Sequence, residues 1–348
     1  MDNLNPLTKH QKSVAIYGTT CDQVKNWVSF FQDVSSIPTG YLDASHHAIP
    51  IQAHVTFGES AHLWQTPGLG FSPWDFQWVN GNHFAGQRQV VVHNPEKLES
   101  LKKRKLQLTD VVLVIAEGGI PQHLIEWGVI TADTIWIDPT NKDSIAEWVK
   151  SQTQPAPLAA LILTGGKSER MGQDKALLDY HGLPQWQFLL EQCSSLDIPA
   201  FVSVRNLEQA QNMGIKKDQA IEDCWLDMGP LGGILSAMKS HPKFSWMVMA
   251  SDMPNWNLDG MRFLMQNRDS QKMATAFWNE QKQWAEPLAT IWEKQSAPWM
   301  AMWMMQSQCA RRMLATLSLK SIVAPEENWL NNINSPQERE EWIKSQDE

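Results

Sequence analysis

Short apolar runs alternate with amphipathic stretches along the second half of the chain. The apolar runs have the length of β-strands, and they lack the polar–apolar alternation of a sheet with one wet face. This pattern is typical of parallel strands covered by helices on both faces. The predicted strands are 158–164, 200–204, 246–250, 273–277 and 288–292, and the predicted helices are 184–192, 231–240, 258–266 and 336–344.

The first half of the chain carries the same kind of pattern. A strand is predicted over 13–20, where it runs into a turn, and a helix follows over 22–31. We therefore expect two three-layer α/β domains, the second with a mostly parallel, Rossmann-like sheet. Further strands are predicted at 90–93, 111–116 and 134–138, and one more ends within 41–47.

A polar stretch with two prolines, 151–157 (SQTQPAP), separates the two halves. It follows an amphipathic segment over 143–150 that we interpret as the end of a helix. Proline fixes φ and lacks a backbone donor, so such a stretch suits an exposed linker. We predict one domain over 1–150, a linker over 151–157 and a second domain over 158–348.

Composition and charge exclude several classes of function. The chain has 348 residues, of which 43% are hydrophobic and 19% charged, which is enough to bury two cores. The net charge of −9 is spread evenly, so we predict no nucleic-acid partner and no anionic membrane partner. The longest apolar runs, such as 111–116, fall far short of the ~20 residues that a membrane-spanning helix needs.

The positions of the cysteines and histidines bear on the cellular compartment and on the presence of a zinc site. Cys21, Cys193, Cys224 and Cys309 are isolated and the polar start resembles no signal peptide, so we expect a cytoplasmic protein. Eight of the ten histidines lie within 1–123, but none has the i, i+4 spacing with a carboxylate of a helical zinc site. We interpret them as solvated or core residues.

The loop after the strand at 158–164 carries the strongest chemical signal. Gly165 and Gly166 let the backbone bend sharply and turn its N–H groups toward phosphate oxygens. Arg170 and Lys175 then bring two cations to the same loop. Neither G-x-x-x-x-G-K-[ST] nor G-x-G-x-x-G can be aligned with it. The alternative, a glycine-rich surface turn with solvated charges, would suit an isolated Gly-Gly pair better than this whole string.

The string resembles the signature L-x-G-G-x-S-x-R-M-G-x-D-K of the MobA-type molybdenum cofactor guanylyltransferases, which belong to the nucleotidyltransferases. Three further motifs of that family follow in the same order: an Asp followed by G-P-L-x-G over 223–233, D-x-P over 252–254 and N-x-N-[ST]-P over 332–336. Four motifs in the family's order argue against a chance match. The matching residues of the first motif are Leu163, Gly165, Gly166, Ser168, Arg170, Met171, Gly172, Asp174 and Lys175.

The resemblance implies a Rossmann-like nucleotidyltransferase fold and a set of catalytic residues. Arg170 and Lys175 would bind phosphate oxygens, and Asp252, just past a strand, would hold Mg²⁺. The alternative for Asp252 is a helix cap ahead of Pro254. Asn334, or else Asn332, would add a metal ligand or orient the acceptor phosphate, with a helix cap again as the alternative.

The resemblance also implies a nucleotide site. Asp223 would accept from the guanine edge or hold the ribose, and the backbone over 163–165 would line the nucleotide. The family's asparagine after the second strand is replaced here by Ser203 or Arg205, which departs from the pattern. The full nucleotide-binding set is Leu163, Thr164, Gly165, Gly166, Lys175, Ser203, Asp223, Gly229, Pro230, Leu231 and Asp252.

The leading hypothesis for function is transfer of GMP from GTP to the phosphate of molybdopterin or its molybdenum complex, with release of pyrophosphate. Cytidylyl transfer, or another nucleotidyl transfer, is the enzymatic alternative. A non-catalytic carrier of molybdopterin is the second alternative, and apo-molybdoenzymes or their chaperones are conceivable partners of either. We expect Mg²⁺ as the cofactor.

The first domain resembles, more weakly, a MobB-like P-loop-type GTP-binding adaptor that has lost its nucleotide loop. Five residues beyond Gly18 stands Gln23 instead of glycine, and Val24 follows instead of lysine. Nucleotide hydrolysis by this half is therefore not expected. Thr19, Thr20 and Lys25 could contact an anion at the helix start, but a simple capped helix is the preferred interpretation.

Overall fold

A computed structural model describes residues 12–43, 76–83, 86–164, 179–333 and 335–346. The chain divides into two compact units, and the boundary after the first sheet falls between Pro155 and Ala156. The helix before this boundary, Lys142–Gln152, extends two residues into the predicted linker. It continues because neither Ser151 nor Gln152 interrupts a helix, and the first proline of the stretch comes only at residue 155.

The N-terminal unit is an α/β layer structure with a six-stranded sheet among its described residues. The strands lie in the order β2-β3-β1-β4-β5-β6, and every neighbouring pair is parallel. The elements are β1 (Lys12–Tyr17), α1 (Cys21–Val34), β2 (Gly40–Leu42), β3 (Phe76–Asn80), β4 (Arg88–Val92), α2 (Leu98–Lys103), β5 (Val111–Ile115), α3 (Gln122–Glu126), β6 (Ile135–Ile137) and α4 (Lys142–Gln152).

The start of α1 is capped by the chain itself. The Thr20 hydroxyl accepts from the Gln23 backbone N–H at 3.2 Å, and the Gln23 side chain accepts from the Thr20 backbone N–H at 3.3 Å. This reciprocal pair satisfies donors that a phosphate would otherwise bind at a helix start. The glutamine in place of the expected P-loop glycine therefore closes the helix end. This is the capped helix that we preferred over an anion site.

The C-terminal unit is built on a seven-stranded sheet, in the order β13-β11-β12-β10-β7-β8-β9. Its elements are β7 (Leu158–Leu163), α5 (Gln185–Ser194), β8 (Ala200–Val204), α6 (Leu207–Asn212), β9 (Ala220–Glu222), α7 (Pro230–Ser240), β10 (Ser245–Ala250), α8 (Leu258–Gln266), β11 (Ala274–Asn279), β12 (Trp284–Trp292), α9 (Ala297–Met304), α10 (Ala310–Leu314), β13 (Leu319–Val323) and α11 (Pro336–Gln346).

One strand departs from the predicted parallel arrangement. β12 pairs antiparallel with both β10 and β11, whereas the other pairs in this sheet are parallel. The turn over 280–283 joins β11 to β12 directly, and so short a connection can only reverse the chain. The predicted α/β class with a mostly parallel sheet is confirmed.

The amino edge of this sheet is fastened by a buried ion pair. Arg268 donates to both carboxylate oxygens of Glu293, at 2.6 and 2.7 Å, and also to the carbonyl of Ala156 at 2.8 Å. Ser245, the first residue of β10, donates to the same carboxylate at 2.6 Å. The Glu293 side chain is only 1% exposed. The start of β7, the start of β10 and the end of β12 are thereby tied to the segment after α8.

Among the residues that the structure describes, no helix combines the length and the apolar character needed to cross a bilayer.

Candidate functional site

The carboxyl ends of β7, β8, β9 and β10 lie side by side, where α/β sheets bind ligands. At the end of β7, Leu163 and Thr164 are buried, and the Thr164 hydroxyl donates to the Ser203 carbonyl at 2.7 Å. This bond joins the end of β7 to β8. The loop that follows, with Gly165, Gly166, Arg170 and Lys175, lies outside the described residues.

The G-P-L-G-G motif forms the start of α7. Gly229 has φ +59° and ψ −151°, a conformation open in practice only to glycine, and Pro230 follows as the first helical residue. The Leu231 side chain is fully buried in the core, so only its backbone can contact a nucleotide. The motif therefore gives a sharp turn into a helix whose amino end opens on the carboxyl edge of the sheet.

Asp223, directly after β9, is held at this helix start. Its Oδ1 accepts from the Trp225 backbone N–H at 2.9 Å and from the Ser236 hydroxyl at 3.0 Å. Gly232 makes this possible because a Cβ there would lie 2.5 Å from the Trp225 carbonyl and 3.2 Å from both Asp223 carboxylate oxygens. The predicted nucleotide-binding aspartate and the glycine of the next motif thus form one unit. Ser236, which the sequence analysis did not select, completes it.

Gly233 serves the neighbouring strand ends in the same way. A Cβ at this position would meet the Ser203 hydroxyl at 2.6 Å and Leu163 at 3.0 Å. The helix can therefore lie close against the ends of β7 and β8. Of the two residues at the family's asparagine position, Ser203 is buried here, whereas Arg205 is exposed and its backbone N–H binds Gln209.

We expect Gly232→Ala to lower the free energy of unfolding by about 1–3 kcal/mol because the new methyl group must displace backbone. It should also weaken nucleotide binding by moving Asp223. Thermal unfolding and nucleotide titration would measure the two effects, with Ser240→Ala at the exposed end of α7 as control. Unchanged nucleotide affinity in Gly232→Ala would contradict the role given to Asp223.

Asp252 lies in a turn just beyond β10. The helix that follows, α8, is capped by Asn257, whose Oδ1 accepts from the N–H groups of Asp259 and Gly260 at 3.0 and 3.1 Å. Asp252 is therefore not the cap of that helix, and the capping hypothesis was wrong. The turn is instead held through its own carbonyl groups, and His181 Nε2 lies 2.9 Å from the Pro254 carbonyl.

The segment before α11 lies against the turn that contains Asp252. The Ile333 N–H donates to the Asp252 carbonyl at 2.9 Å, which brings Asn332 beside the aspartate turn. The Asn332 Oδ1 is buried and accepts no hydrogen bond from the described residues. Ser335 accepts from the Glu338 N–H at 3.2 Å, so this serine caps α11 and Asn332 does not. Asn334 lies outside the described residues.

A second carboxyl group, which the sequence analysis missed, faces this region. β12 pairs with β10 as far as Met249 opposite Ala289, so Glu286 lies at the same edge as Asp252. Glu286 is only 6% exposed, and burial raises its pKa, with a smaller upward effect from the Asp252 charge. A glutamate in the middle of a strand is read from sequence as solvent-facing, and only the sheet register reveals its position.

Tyr180 closes the site on the side of α11. Burial and the nearby Asp252 carboxylate raise the pKa of Tyr180 to about 12, so the phenol stays protonated. Its hydroxyl is buried and makes no hydrogen bond within the described part of the chain. Tyr180 thus offers a neutral donor beside the carboxylate.

The donor set suits a hard cation with few protein ligands. Within the described ranges, no group of three or more histidine, cysteine, aspartate or glutamate side chains could hold a metal. Mg²⁺ typically takes one or two protein oxygens and keeps several waters. The Asp252 carboxylate and the buried Asn332 amide oxygen fit that preference.

A mostly parallel α/β sheet, a glycine-proline helix start and two aspartates at the carboxyl edge define a nucleotide-binding domain of the Rossmann-like type. Residues 160–322 match the family described as the MobA-like NTP transferase domain. The resemblance inferred from the four motifs is thereby confirmed for this part of the chain.

Several relatives of this chain are named as proteins of molybdenum cofactor biosynthesis. The molybdenum cofactor biosynthesis bifunctional protein of Synechocystis sp. is 32% identical over 139 residues, which cover 40% of this chain and 40% of that protein. The probable molybdenum cofactor guanylyltransferase of Trichormus variabilis is 26% identical over 185 residues, covering 52% of this chain and 88% of the relative. The chain spans less than half the length of the first of these relatives.

This chain is also similar to a bacterial guanylyltransferase and to an archaeal protein of solved structure. The molybdenum cofactor guanylyltransferase of Xanthomonas euvesicatoria is 38% identical over 106 residues, covering 29% of this chain and 50% of that protein. Among solved structures, the molybdopterin-guanine dinucleotide biosynthesis protein A of Archaeoglobus fulgidus superimposes with a TM-score of 0.47 at 20% identity. That superposition covers 54% of this chain and 98% of the other.

Proposed function

We propose that the C-terminal unit transfers GMP from GTP to the terminal phosphate of molybdopterin and releases pyrophosphate. The observation that carries the proposal is the meeting of two distant motifs at one point. Asp252, beyond β10, is hydrogen-bonded through its carbonyl to Ile333, next to the buried Asn332 oxygen. A carboxylate and a neutral oxygen thus lie together at the carboxyl edge of the sheet, and Asp223 lies at the same edge, by the start of α7. This arrangement suits a metal-dependent nucleotidyl transfer.

The reaction needs an in-line displacement at the α-phosphorus. An oxygen of the acceptor phosphate attacks, the bond to the β-phosphate bridging oxygen breaks, and pyrophosphate leaves with the electron pair. Such chemistry depends mainly on positioning and on neutralising charge. Arg170 and Lys175, the two cations of the glycine-rich loop, are proposed to bind the triphosphate.

Asp252 and Asn332 would hold Mg²⁺, with Asn334 as the alternative amide. When bound, the metal would neutralise negative charge on the α-phosphate and on the departing pyrophosphate. Glu286 keeps a second carboxyl group next to Asp252, and burial favours its protonated form. A protonated Glu286 would donate to an acceptor oxygen without adding a second negative charge.

The nucleoside would be recognised at the amino end of α7. Both hydrogen bonds described above end on Oδ1 of Asp223. The carboxylate therefore has capacity left to accept from N1–H and N2–H₂ of guanine or from a ribose hydroxyl. The backbone of Leu163 and Thr164, beside Ser203, would line the other side of the nucleotide.

GTP should bind far more tightly than CTP, UTP or ATP. Discrimination arises because a wrong base would leave buried polar groups unpaired, which costs about 1–3 kcal/mol for each such group. Isothermal titration of the full chain with each triphosphate and Mg²⁺ would measure it. Tighter binding of CTP would overturn the guanylyl assignment and favour cytidylyl transfer. Binding of molybdopterin without turnover of any triphosphate would favour a carrier.

A fragment over 155–348 should fold alone and keep the GTP affinity of the full chain, because every proposed nucleotide-binding residue lies beyond the unit boundary. Circular dichroism and GTP titration would test this. We propose that the N-terminal unit is a MobB-like adaptor that lacks the nucleotide-binding loop. A fragment over 1–150 should therefore not hydrolyse nucleotides. Loss of GTP affinity in the longer fragment would mean that the N-terminal unit completes the site.

A further inference from the structure

Three chemically active side chains meet at the carboxyl edge of the N-terminal sheet. Cys21 is the first residue of α1, directly beyond β1, while Asp43 follows β2 and His83 lies just beyond β3. The three strands are neighbours in the order β2-β3-β1, so their carboxyl ends converge. Residues far apart in sequence are thereby assembled into one cluster, which we name the Cys21 cluster. None of the motifs used for the proposed function includes them.

One ring nitrogen of His83 lies near both the thiol and the carboxylate. Its Nε2 is 3.4 Å from Cys21 Sγ and 3.6 Å from Asp43 Oδ1. The Asp43 side chain is 1% exposed, whereas the His83 side chain is 36% exposed. The thiol is partly accessible. The thiol therefore has a base within reach, and a buried carboxylate lies near the same ring nitrogen, where it favours positive charge on the imidazole.

The Asp43 carboxylate is held in place by a neighbouring tyrosine. The Tyr41 hydroxyl donates to Asp43 Oδ2 at 2.9 Å, and burial together with this carboxylate raises the pKa of Tyr41, so the phenol remains a donor. Asn80 is fully buried, and its side chain has a smaller, opposite effect on the Tyr41 pKa. The floor of the Cys21 cluster is thus polar, buried and fixed.

We propose that Cys21 is a reactive thiol that exchanges with low-molecular-weight disulfides, so that the N-terminal unit carries a reversible S-thiolation site. His83 Nε2 takes the thiol proton, and the Asp43 carboxylate stabilises the resulting imidazolium. The Cys21 thiolate attacks one sulfur of the disulfide, and a new S–S bond forms as the old one breaks. The departing thiolate takes the proton back from His83, so the step is balanced without any other reactant.

The surroundings favour disulfide exchange over acyl transfer. Acyl transfer needs donors aimed at a developing oxyanion. The side-chain amide of Asn82, 3.9 Å from Cys21 Sγ, donates to the Thr19 carbonyl at 3.1 Å, and the Gln23 N–H is bound by Thr20. Cys21 is also the only cysteine within 1–155, so a partner thiol must come from outside this unit.

The test uses the intact full chain and oxidised glutathione at pH 7, with each cysteine followed by peptide mass spectrometry. Cys224 in the C-terminal unit is more exposed than Cys21 and serves as an internal reference. We expect Cys21 to be modified about tenfold faster than Cys224 because His83 Nε2 is in place to take the thiol proton during the attack. His83→Gln should reduce the rate at Cys21 to that of Cys224, and Asp43→Asn should reduce it partly. His93→Gln, at another partly buried histidine of the same unit, should change nothing.

Two outcomes would overturn the proposal. One is modification of Cys21 no faster than that of Cys224 in the unaltered chain, a comparison that needs no variant to fold. The other is an unchanged rate at Cys21 in a His83→Gln protein whose circular dichroism and melting temperature match the parent.

Discussion

Asp252→Asn should lower guanylyl transfer by about 10²–10³-fold, the order seen when one preorganised stabilising group is removed from a transition state. The amide keeps the size of the side chain but loses the charge that would hold Mg²⁺. Stability should change by less than about 0.5 kcal/mol, because Asp252 caps no helix, the bond from Ile333 is made to its backbone carbonyl, and asparagine keeps the size and polarity of the side chain. Pyrophosphate release at several Mg²⁺ concentrations, together with thermal unfolding, would measure both quantities.

The matched control is Asp259→Asn, the same exchange in the first turn of α8. Asp259 is exposed and pairs only loosely with Arg262, at 3.7 Å. The Asp259→Asn variant should leave turnover unchanged. If Asp252→Asn kept normal turnover at low Mg²⁺ while its melting temperature fell, the metal would have to be bound elsewhere and Asp252 would be structural.

Arg268→Ala should lower the free energy of unfolding by about 3–5 kcal/mol, because it leaves the Glu293 carboxylate buried without its cation. The side chain carries two bonds to Glu293 and one to Ala156, so three chain segments lose their common partner. Chemical denaturation followed by tryptophan fluorescence would measure the loss. Nucleotide affinity of the folded fraction should be retained, since the ion pair lies at the edge opposite to Asp252.

Arg262→Ala is the natural comparison for this prediction, because Arg262 lies on α8, shortly before Arg268, in an exposed pair with Asp259. Exposed pairs contribute about 0–1 kcal/mol, so this variant should unfold close to the parent. Equal losses in the two arginine variants would indicate that the buried ion pair contributes no more to stability than the exposed one.

Strongly apolar elements could be predicted from the sequence, and elements stabilised by tertiary contacts could not. The strand Ala200–Val204 and the helix Leu258–Gln266 have the predicted bounds. β3 was missed because Gln77 and Asn80 interrupt its pattern, although both are buried in the sheet. The three-residue β9 was too short to give a pattern, and the edge strand β13 is only partly buried.

The candidate site shows the same limit. Asp223 could be selected from its motif, and Asp252 because it follows an apolar strand within a recognisable motif. Ser236 and Glu286 could not, since their roles depend on a helix face and on the register of an antiparallel strand. The Cys21 cluster is the extreme case, because its three members are brought together by the order of strands in a sheet and by no local pattern.

The bond from Ile333 to the Asp252 carbonyl has a consequence for synthesis on the ribosome. A nascent chain that has been translated as far as Val323 already contains every strand of the C-terminal sheet, including the edge strand β13. It still lacks Asn332 and the backbone N–H that fastens the aspartate turn. Sheet assembly can therefore precede completion of the candidate site, and a chain terminated before Asn332 would fold with that site unfinished.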